Sequence, residues 1–394
     1  MSKTAVHHRR LIVTGGVTAL GLATAVALAA PSVARAQTQT QGHHKKVTVV
    51  ADHLGNPRGL APAPGGGLYL AEAGSGGKVC VAGGEQGTTC VGKTGSFDLV
   101  TKHGVKRIVT GLISGSGEGG VFAEGAVSVS AGPYGRFYGL FGLNSHEVPP
   151  PGVIPARLRA AALAELGHLV QAKPYHTIRD VSDVGDQDWT WTNTHRYLAP
   201  KDFPDANPNN VLYSHGHRYV VDAGANLLVE VKRGGTAKIL AFFSVPKGSQ
   251  SDSVPTCVAR GPDRALYVGE LLGGQYTPGH ARIWRVVPGH APKVWATGLT
   301  TVQGCGFGRD GAFYATEFQV GGLNEGPTAS PAGDVVRIDR HGHRTHLGTG
   351  KLFYPSGFAT GSDGAIYVSN CSVAPARGMG PKLCPAGGQV VRIG

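Results

Sequence analysis

The stretch Val254-Pro-Thr-Cys-Val-Ala-Arg-Gly-Pro-Asp-Arg-Ala-Leu-Tyr-Val-Gly-Glu270 decides the reading of the chain. It is a small apolar run, a Gly-containing turn, then Tyr-x-x-acid. Neighbouring copies end in Tyr314-Ala-Thr-Glu317 and Tyr367-Val-Ser-Asn370, and earlier ones in Tyr69-Leu-Ala-Glu72 and Tyr219-Val-Val-Asp222. A sixth, Tyr138-Gly-Leu-Phe141, keeps the Tyr and lacks the acid. The last four tyrosines lie 48, 47 and 53 residues apart (267−219, 314−267, 367−314). Periods of ~40–50 residues carrying several short strands mark a β-propeller.

Each copy reads as two strands around a tight turn, such as Gly-Arg-Asp-Gly311 or Gly-Ser-Asp-Gly364. Asp and Gly supply the local hydrogen bond and the positive φ that such turns need. An alternating third strand follows (Arg282–Val286, Asp334–Ile338, Gln389–Ile393), then a fourth (Lys238–Phe242, Lys293–Ala296). Four strands make a blade, and six copies predict an all-β, six-bladed propeller. The last copy stops at its third strand. Val47-Thr-Val-Val-Ala51 precedes the first copy and has the fourth-strand pattern, so the N-terminal strand is expected to complete the last blade. Closure removes exposed sheet edges. An open repeat array or a sandwich is the competing arrangement.

Residues 1–36 read as a secretory signal peptide. His7-His-Arg-Arg10 is basic, Leu11–Ala30 is apolar and Ala34-Arg-Ala36 suits cleavage. Arg9-Arg10 leaves twin-arginine export open beside general secretion, and an uncleaved anchor is the rival reading. Residues 37–46 are a polar lead-in expected to be disordered. Residues 47–394 are read as a single propeller domain of a secreted protein, with no membrane span after cleavage. The leader holds Lys3, Arg9, Arg10 and Arg35 and no acid, so its removal takes the net charge from +12 to +8. That balance favours anionic partners, but the basic residues (Arg282, Arg285, Arg337, Arg392) are scattered singly, and no nucleic-acid motif appears.

Six cysteines in an exported chain point to disulfides. Cys80 and Cys90 share a Gly-rich loop of the first blade, and Cys371 and Cys384 share the equivalent loop of the last. Local pairing of each is the expectation among 15 connectivities. Cys257 and Cys305 lie in first strands of adjacent blades, and either pair near the axis or remain buried thiols.

The second unit is swollen, with Tyr138 and Tyr219 81 residues apart (219−138). Within it, Ile154–Gly167 reads as a short helix, with Pro near its start and Gly at its end. His168–Gln171 then resumes the blade, and Gly185–Asn210 is expected to be irregular. Long second-to-third connections (73–95, 143–166, 271–281, 318–333, 371–388) and fourth-to-first segments (110–124, 185–207) all fall on one face. Any binding site is expected there, on loops held by a rigid scaffold.

The phrases Asn56-Pro-Arg-Gly-Leu60, Cys90-Val-Gly-Lys-Thr-Gly-Ser96, Val220-Val-Asp-Ala-Gly-Ala-Asn226, Pro255-Thr-Cys-Val-Ala259 and Ala265-Leu-Tyr-Val-Gly-Glu-Leu271 resemble the ScyD/ScyE family of exported proteins. The resemblance spans roughly residues 45–394. It implies the six-bladed fold and no defined reaction.

Candidate chemistry is sparse. Glu72, Asp222, Glu270, Glu317 and Asn370 recur in nearly every blade. That favours a structural role, each accepting backbone N–H bonds near its own turn, over a ring of catalytic carboxylates. Aligning the copies on Tyr places Arg58, Val127, Asn209, Thr256, Gln303 and Ser356 at one position near the start of the innermost strands. Arg58, Asn209, Thr256, Gln303 and Ser356 are the candidate ligand-binding ring at the channel, with polar lining as the plainer reading. Gluconolactonase-like propellers hold a divalent cation on the axis with carboxylates and amides. Calcium wants several oxygens, carboxylates among them, and this ring offers only amides unless Glu124 reaches in. No cofactor is therefore expected, and calcium has weak support. His215-Gly-His217 and His341-Gly-His-Arg-Thr-His346 have the look of metal clusters, but both straddle expected hairpin turns on the undecorated face, which favours surface histidines. Trp189 and Trp191 are candidate loop aromatics for a sugar or aromatic ligand. No Gly-x-Ser-x-Gly elbow, phosphate loop or His-Glu-x-x-His appears. The reading is a binding or scaffolding module, expected to be monomeric, taking a small molecule, glycan or protein on its loop face. A metal-dependent hydrolase of the gluconolactonase or strictosidine-synthase-like kind is the alternative.

Overall fold

The computed structural model describes residues 45–83, 87–244, 252–273, 277–323 and 330–394. The expected signal peptide lies outside them, as does most of the lead-in. Six antiparallel blades form a ring. Blade 3 is typical: Pro208–Ser214, His217–Asp222, Leu227–Val231 and Ala237–Phe242 pair in that order. Blade 4 follows with Pro255–Arg260, Leu266–Glu270, Ala281–Val286 and Lys293–Leu299, and blade 5 with Val302–Phe307, Phe313–Glu317, Ala332–Ile338 and Arg344–Phe353. The first strands neighbour one another in cyclic order and so line the axis.

Blade 6 (Phe358–Thr360, Ile366–Asn370, Gly388–Ile393) is completed by Val47–Leu54, as expected from the chain order. Val47 lies opposite Ile393, and Gly394 N donates to Lys46 O at 3.2 Å.

The repeated phrase works as a unit. Its Tyr packs into the next blade: Tyr69 on Phe137 (ring centroids 5.1 Å apart), Tyr138 on Tyr213 (5.2 Å), Tyr267 on Phe307 (5.0 Å) and Tyr314 on Phe358 (5.6 Å). Burying each ring contributes about 1.5–3 kcal/mol. The turn Gly seats the ring, since a Cβ on Gly261 or Gly361 would lie 2.4 Å from the Tyr edge. The turn Asp holds the hydroxyl, with Tyr267–Asp263 at 3.1 Å, Tyr314–Asp310 at 2.9 Å and Tyr367–Asp363 at 3.2 Å. Arg285, Arg337 and Arg392 donate to the same three carboxylates at 2.7–2.9 Å. Three of the four singly scattered arginines, Arg285, Arg337 and Arg392, thus belong to repeated Tyr–Asp–Arg turns on the undecorated face.

All six cysteines pair: Cys80–Cys90, Cys371–Cys384 and Cys257–Cys305. The third bridges the first strands of blades 4 and 5, which settles the alternative left open by the sequence. No helix among the described residues is long and apolar enough to cross a membrane.

The decorated face is more regular than its Gly content suggested. In blade 1, behind Pro57–Pro62 and Leu68–Glu72, the strands Thr88–Thr101 and Gly104–Ser116 run on past the blade. Val79–Ala82 pairs with the extension, setting Cys80 opposite Cys90. In blade 2 (Ala126–Ala131, Phe137–Phe141, His168–Ala172, Arg179–Asp183) the expected helix is α1, Ala156–Glu165. Its Leu158 and Ala162 pack on Leu112 and Ile113 of the extension, and Glu165 Oε2 accepts Ile113 N at 2.7 Å. Gly167 follows with φ +80, the left-handed helix end that Gly allows without strain.

One expectation fails. The stretch after Gly185 is not an irregular loop, because residues Val184–Thr194 form a second helix, α2. Asp183 caps it by accepting Asp186 N at 2.9 Å. Its threonines (Thr190, Thr192, Thr194) and Gly185 give the segment poor intrinsic propensity. Packing of Val184, Asp188 and Thr192 against the ring overrides that.

Candidate functional site

The repeated acids hold the connectors between blades. Asp222, Glu317 and Asn370 accept the N–H of Asn207 (2.7 Å), Thr300 (2.6 Å) and Phe353 (2.7 Å). Glu72 accepts Gly55 N, and Glu270 accepts the Ser253 hydroxyl at 2.7 Å. In each case the donor precedes the innermost strand of the same blade.

The residues at the channel position share a backbone feature the sequence did not reveal. Val127, Asn209, Thr256 and Gln303 each fall on a register shift between first and second strands, and Arg58 falls inside the one of blade 1. A bulge re-aims a side chain, here near the axis. Their chemistry is partly committed. Thr256 donates to Val302 O at 2.5 Å, tying blade 4 to blade 5. Arg58 donates to Ala123 O at 2.6 Å and lies 3.5 Å from Glu124, so Glu124 does reach in, as a partner for Arg58. Gln303 keeps a buried Oε1 without a hydrogen-bond partner. Ser356 and Val127 are buried and Asn209 is half-buried. No carboxylate belongs to the ring itself.

Two residues before the ring position the backbone is left-handed at Asn56 (φ 50), Val254 (φ 47), Thr301 (φ 42) and Tyr354 (φ 47). For β-branched or bulky residues this conformation is uncommon and costs on the order of 1 kcal/mol or more. Tyr354 makes ring contacts with Phe122 (6.0 Å) and Phe318 (5.1 Å). Phe122 in turn precedes Ala123, whose carbonyl holds Arg58. This aromatic trio beside the mouth was missed, because its members come from three different connections.

Asn56 is the hub of the decorated face. Its amide donates to Gly74 O (2.7 Å) and Gly120 O (2.8 Å) and accepts Ala123 N (3.0 Å), and its N–H donates to Ala374 O (2.7 Å). Phe122 N donates to Val373 O (3.0 Å), and Arg377 donates to Gly119 O (2.8 Å). The loops carrying Cys80–Cys90 and Cys371–Cys384 are thereby locked to the segment entering blade 2.

The two tryptophans sit on α2, away from this trio. Trp189 stacks on His146 (3.6 Å between ring centres, 12° between planes). Trp191 stacks on His195 (4.2 Å) and packs on Phe242 (5.8 Å) and Phe203 (6.4 Å). Each has a protein partner on at least one ring face.

Electrostatics differ from blade to blade. Burial raises both Asp188 of α2 and Asp222, which face each other, and Asp222 reaches about 7. Burial and a facing Glu72 raise Asp98 to about 9. Burial opposes charge on His168, but hydrogen bonds to Asp183 and Asp180 more than offset this and carry it to about 9. In blade 5, Glu317, Asp334 and His346 each offer a ligand atom within 4.8 Å of the others. His341 and His343 stay exposed at the turn.

A cleft of about 440 Å³ opens on the undecorated face, lined by Pro62, Phe307, Arg309 and Ser362 among others. Arg309 there is bound to Ser362 O at 2.6 Å. The cleft gathers turn backbone and this single charged side chain, so the chemically richer surface is the decorated mouth.

No protein-family model matches the chain, and no curated protein sequence matches it. Solved structures do. A putative oxidoreductase (glucose dehydrogenase) from Thermus thermophilus is similar over 89% of this chain and 99% of its own, at TM-score 0.51 and 15% identity. A glucose dehydrogenase is similar over 89% and 99%, at TM-score 0.50 and 12% identity. At such identities the likeness establishes the shared propeller fold.

Proposed function

We propose that this chain is a secreted binding or scaffolding module of the ScyD/ScyE type. It takes a small molecule, glycan or protein segment at the decorated mouth of the ring, with no defined reaction. The observation that carries the reading is the Asn56 hub with its two disulfide-bearing loops. A surface locked before its ligand arrives avoids the entropy of ordering loops on binding. Phe122 and Tyr354, both half-buried, supply aromatic surface at that mouth, with Phe318 buried behind Tyr354 and Arg58 holding Ala123 and Glu124 in place. The family reading is supported by Asn56-Pro-Arg-Gly-Leu60, which provides both the hub and Arg58. Export is supported by three disulfides, which persist in oxidising compartments.

Glycans and small aromatic compounds are to be screened by thermal shift against the mature protein. Phe122→Ala combined with Tyr354→Ala is expected to weaken any hit at least tenfold with circular dichroism unchanged. Arg309→Ala, in the opposite cleft, should leave it intact. Turnover on a lactone or ester panel that disappears in Arg58→Ala/Gln303→Ala, with the fold intact, would overturn the binding reading in favour of a hydrolase.

A further inference from the structure

The position facing the repeated acid across the second and third strands is occupied differently in each blade. In blade 4, one step beyond the Gly269–Ile283 pair, it is Arg282. Its Nε and Nη2 bind the Glu270 carboxylate at 2.7 and 2.8 Å, so a buried anion meets a cation. In blade 5 the register pairs Glu317 with Asp334. There the cation of blade 4 is replaced by a second carboxylate, also buried, at 3% exposure.

Among the described residues, nothing nearby restores the charge in full. Asp334 Oδ2 takes His346 Nδ1 at 2.6 Å. Asp334 Oδ1 is buried with no hydrogen-bond partner. Glu317 faces it and spends one oxygen on Thr300 N. Arg344, two residues before His346, binds the carbonyls of Thr297 and Gly298 instead. Burial and the Asp334 charge push Glu317 up to about 7, as expected of two carboxylates sharing one buried site.

We propose that Glu317, Asp334 and His346 form a binding site for a first-row divalent cation, with zinc the best fit. Two carboxylates supply the compensating charge. The imidazole selects against calcium and magnesium, which take oxygen ligands, and in favour of zinc. Ligand atoms already within 4.8 Å need to close to roughly 3.3 Å around a metal held at about 2.0–2.2 Å. The half-exposed His346 side chain has room to turn, and its exposure leaves the remaining coordination positions to water. On binding, the proton between His346 and Asp334 and any proton held by Glu317 leave to solvent, and the three atoms become ligands. This site lies off the axis and does not depend on the binding mode proposed above.

Chelator-treated mature protein is to be titrated with zinc at pH 7.5 by calorimetry, with melting followed in parallel. One equivalent per chain and a raised melting temperature are expected. His346→Ala and Glu317→Gln are each expected to weaken binding at least tenfold, whereas His341→Ala/His343→Ala leaves it unchanged. Two variants keep the test open if one fails to fold. Absence of zinc binding would overturn the proposal, leaving a proton as the only occupant between the carboxylates. Zinc binding indifferent to both blade 5 variants, or calcium bound in preference to zinc, would overturn it equally.

Discussion

Blades 4 and 5 share the lengths of their first two strands, turn chemistry and a disulfide between their first strands, yet solve one electrostatic problem in opposite ways. Both bury a carboxylate where the second strand ends. Blade 4 answers with Arg282, Trp284 and Ser253 and leaves no oxygen of Glu270 unpartnered. Blade 5 answers with a second acid and a histidine. Blade 3 takes a third route, in which Asp188 from α2 faces Asp222 and the pair retains a proton. The lesson is that the repeat fixes where the anion sits, while each blade chooses its counter-charge separately. A role specific to one blade is therefore to be sought in the counter-charge.

The largest effect expected is in blade 4. Arg282→Ala strands the Glu270 charge and should cost about 3–5 kcal/mol, read as a fall in urea midpoint. A loss under 1 kcal/mol would show that Trp284 and Ser253 suffice and that the contrast with blade 5 is overdrawn.

The proton of blade 3 gives the next effect. An acid whose folded pKa is raised keeps a proton that the unfolded chain gives up. Stability is then lost as pH climbs from about 4 through about 7, at about 1.4 kcal/mol per pH unit for one proton. Urea unfolding at pH 5, 6, 7 and 8 should show this decline in the native chain. Asp188→Asn should make it shallower by the share of one proton, the raised Asp98 and Glu317 keeping the remainder, and an unchanged slope would remove the pair from the account.

Grafting blade 4 onto blade 5 sharpens the comparison directly. Asp334→Arg should stabilise the metal-free protein by about 2 kcal/mol, the scale of a charged hydrogen bond, and abolish any zinc-dependent rise in melting temperature. Destabilisation instead would mean that the blade 5 position cannot seat a guanidinium.

The smallest effect concerns what the two blades have in common. Tyr267→Phe removes the hydroxyl bond to Asp263, and Tyr314→Phe removes the bond to Asp310 together with the one the hydroxyl accepts from Arg337 at 3.2 Å. Each should cost about 0.5–1.5 kcal/mol, with Tyr314→Phe no cheaper than Tyr267→Phe. A cheaper Tyr314→Phe would show that the Tyr–Asp–Arg turns are not interchangeable.

Much of this architecture was legible because it repeats. The turn Gly, the Tyr that packs into the next blade and the acid that holds the connector recur at fixed offsets, so six copies announced six blades. The last blade's missing strand was legible for the same reason. Helix α2 was not, because its Thr-rich stretch forms a helix only under packing from the ring. The Asn56 hub and the aromatic trio were hidden as well, since they join loops more than two hundred residues apart. The blade 5 cluster escaped because His346 sits beside two turn histidines in sequence but three residues up the strand in space. The bulges behind the channel ring leave no composition signal, because they are a property of register.

The closure of blade 6 bears on how the chain can be cut and joined. Val47 and Ile393 face each other on its outermost strand pair, so the two ends of the ring emerge side by side. A short peptide linking residue 394 to residue 46 would turn the fold into a circle. Reopening that circle at the exposed Gly289 turn of blade 4 would give a circular permutant with every strand pairing of the ring retained. In the natural connectivity the same seam joins residues 346 positions apart (393−47). It is the longest-range latch in the ring, and five blades can assemble before it shuts.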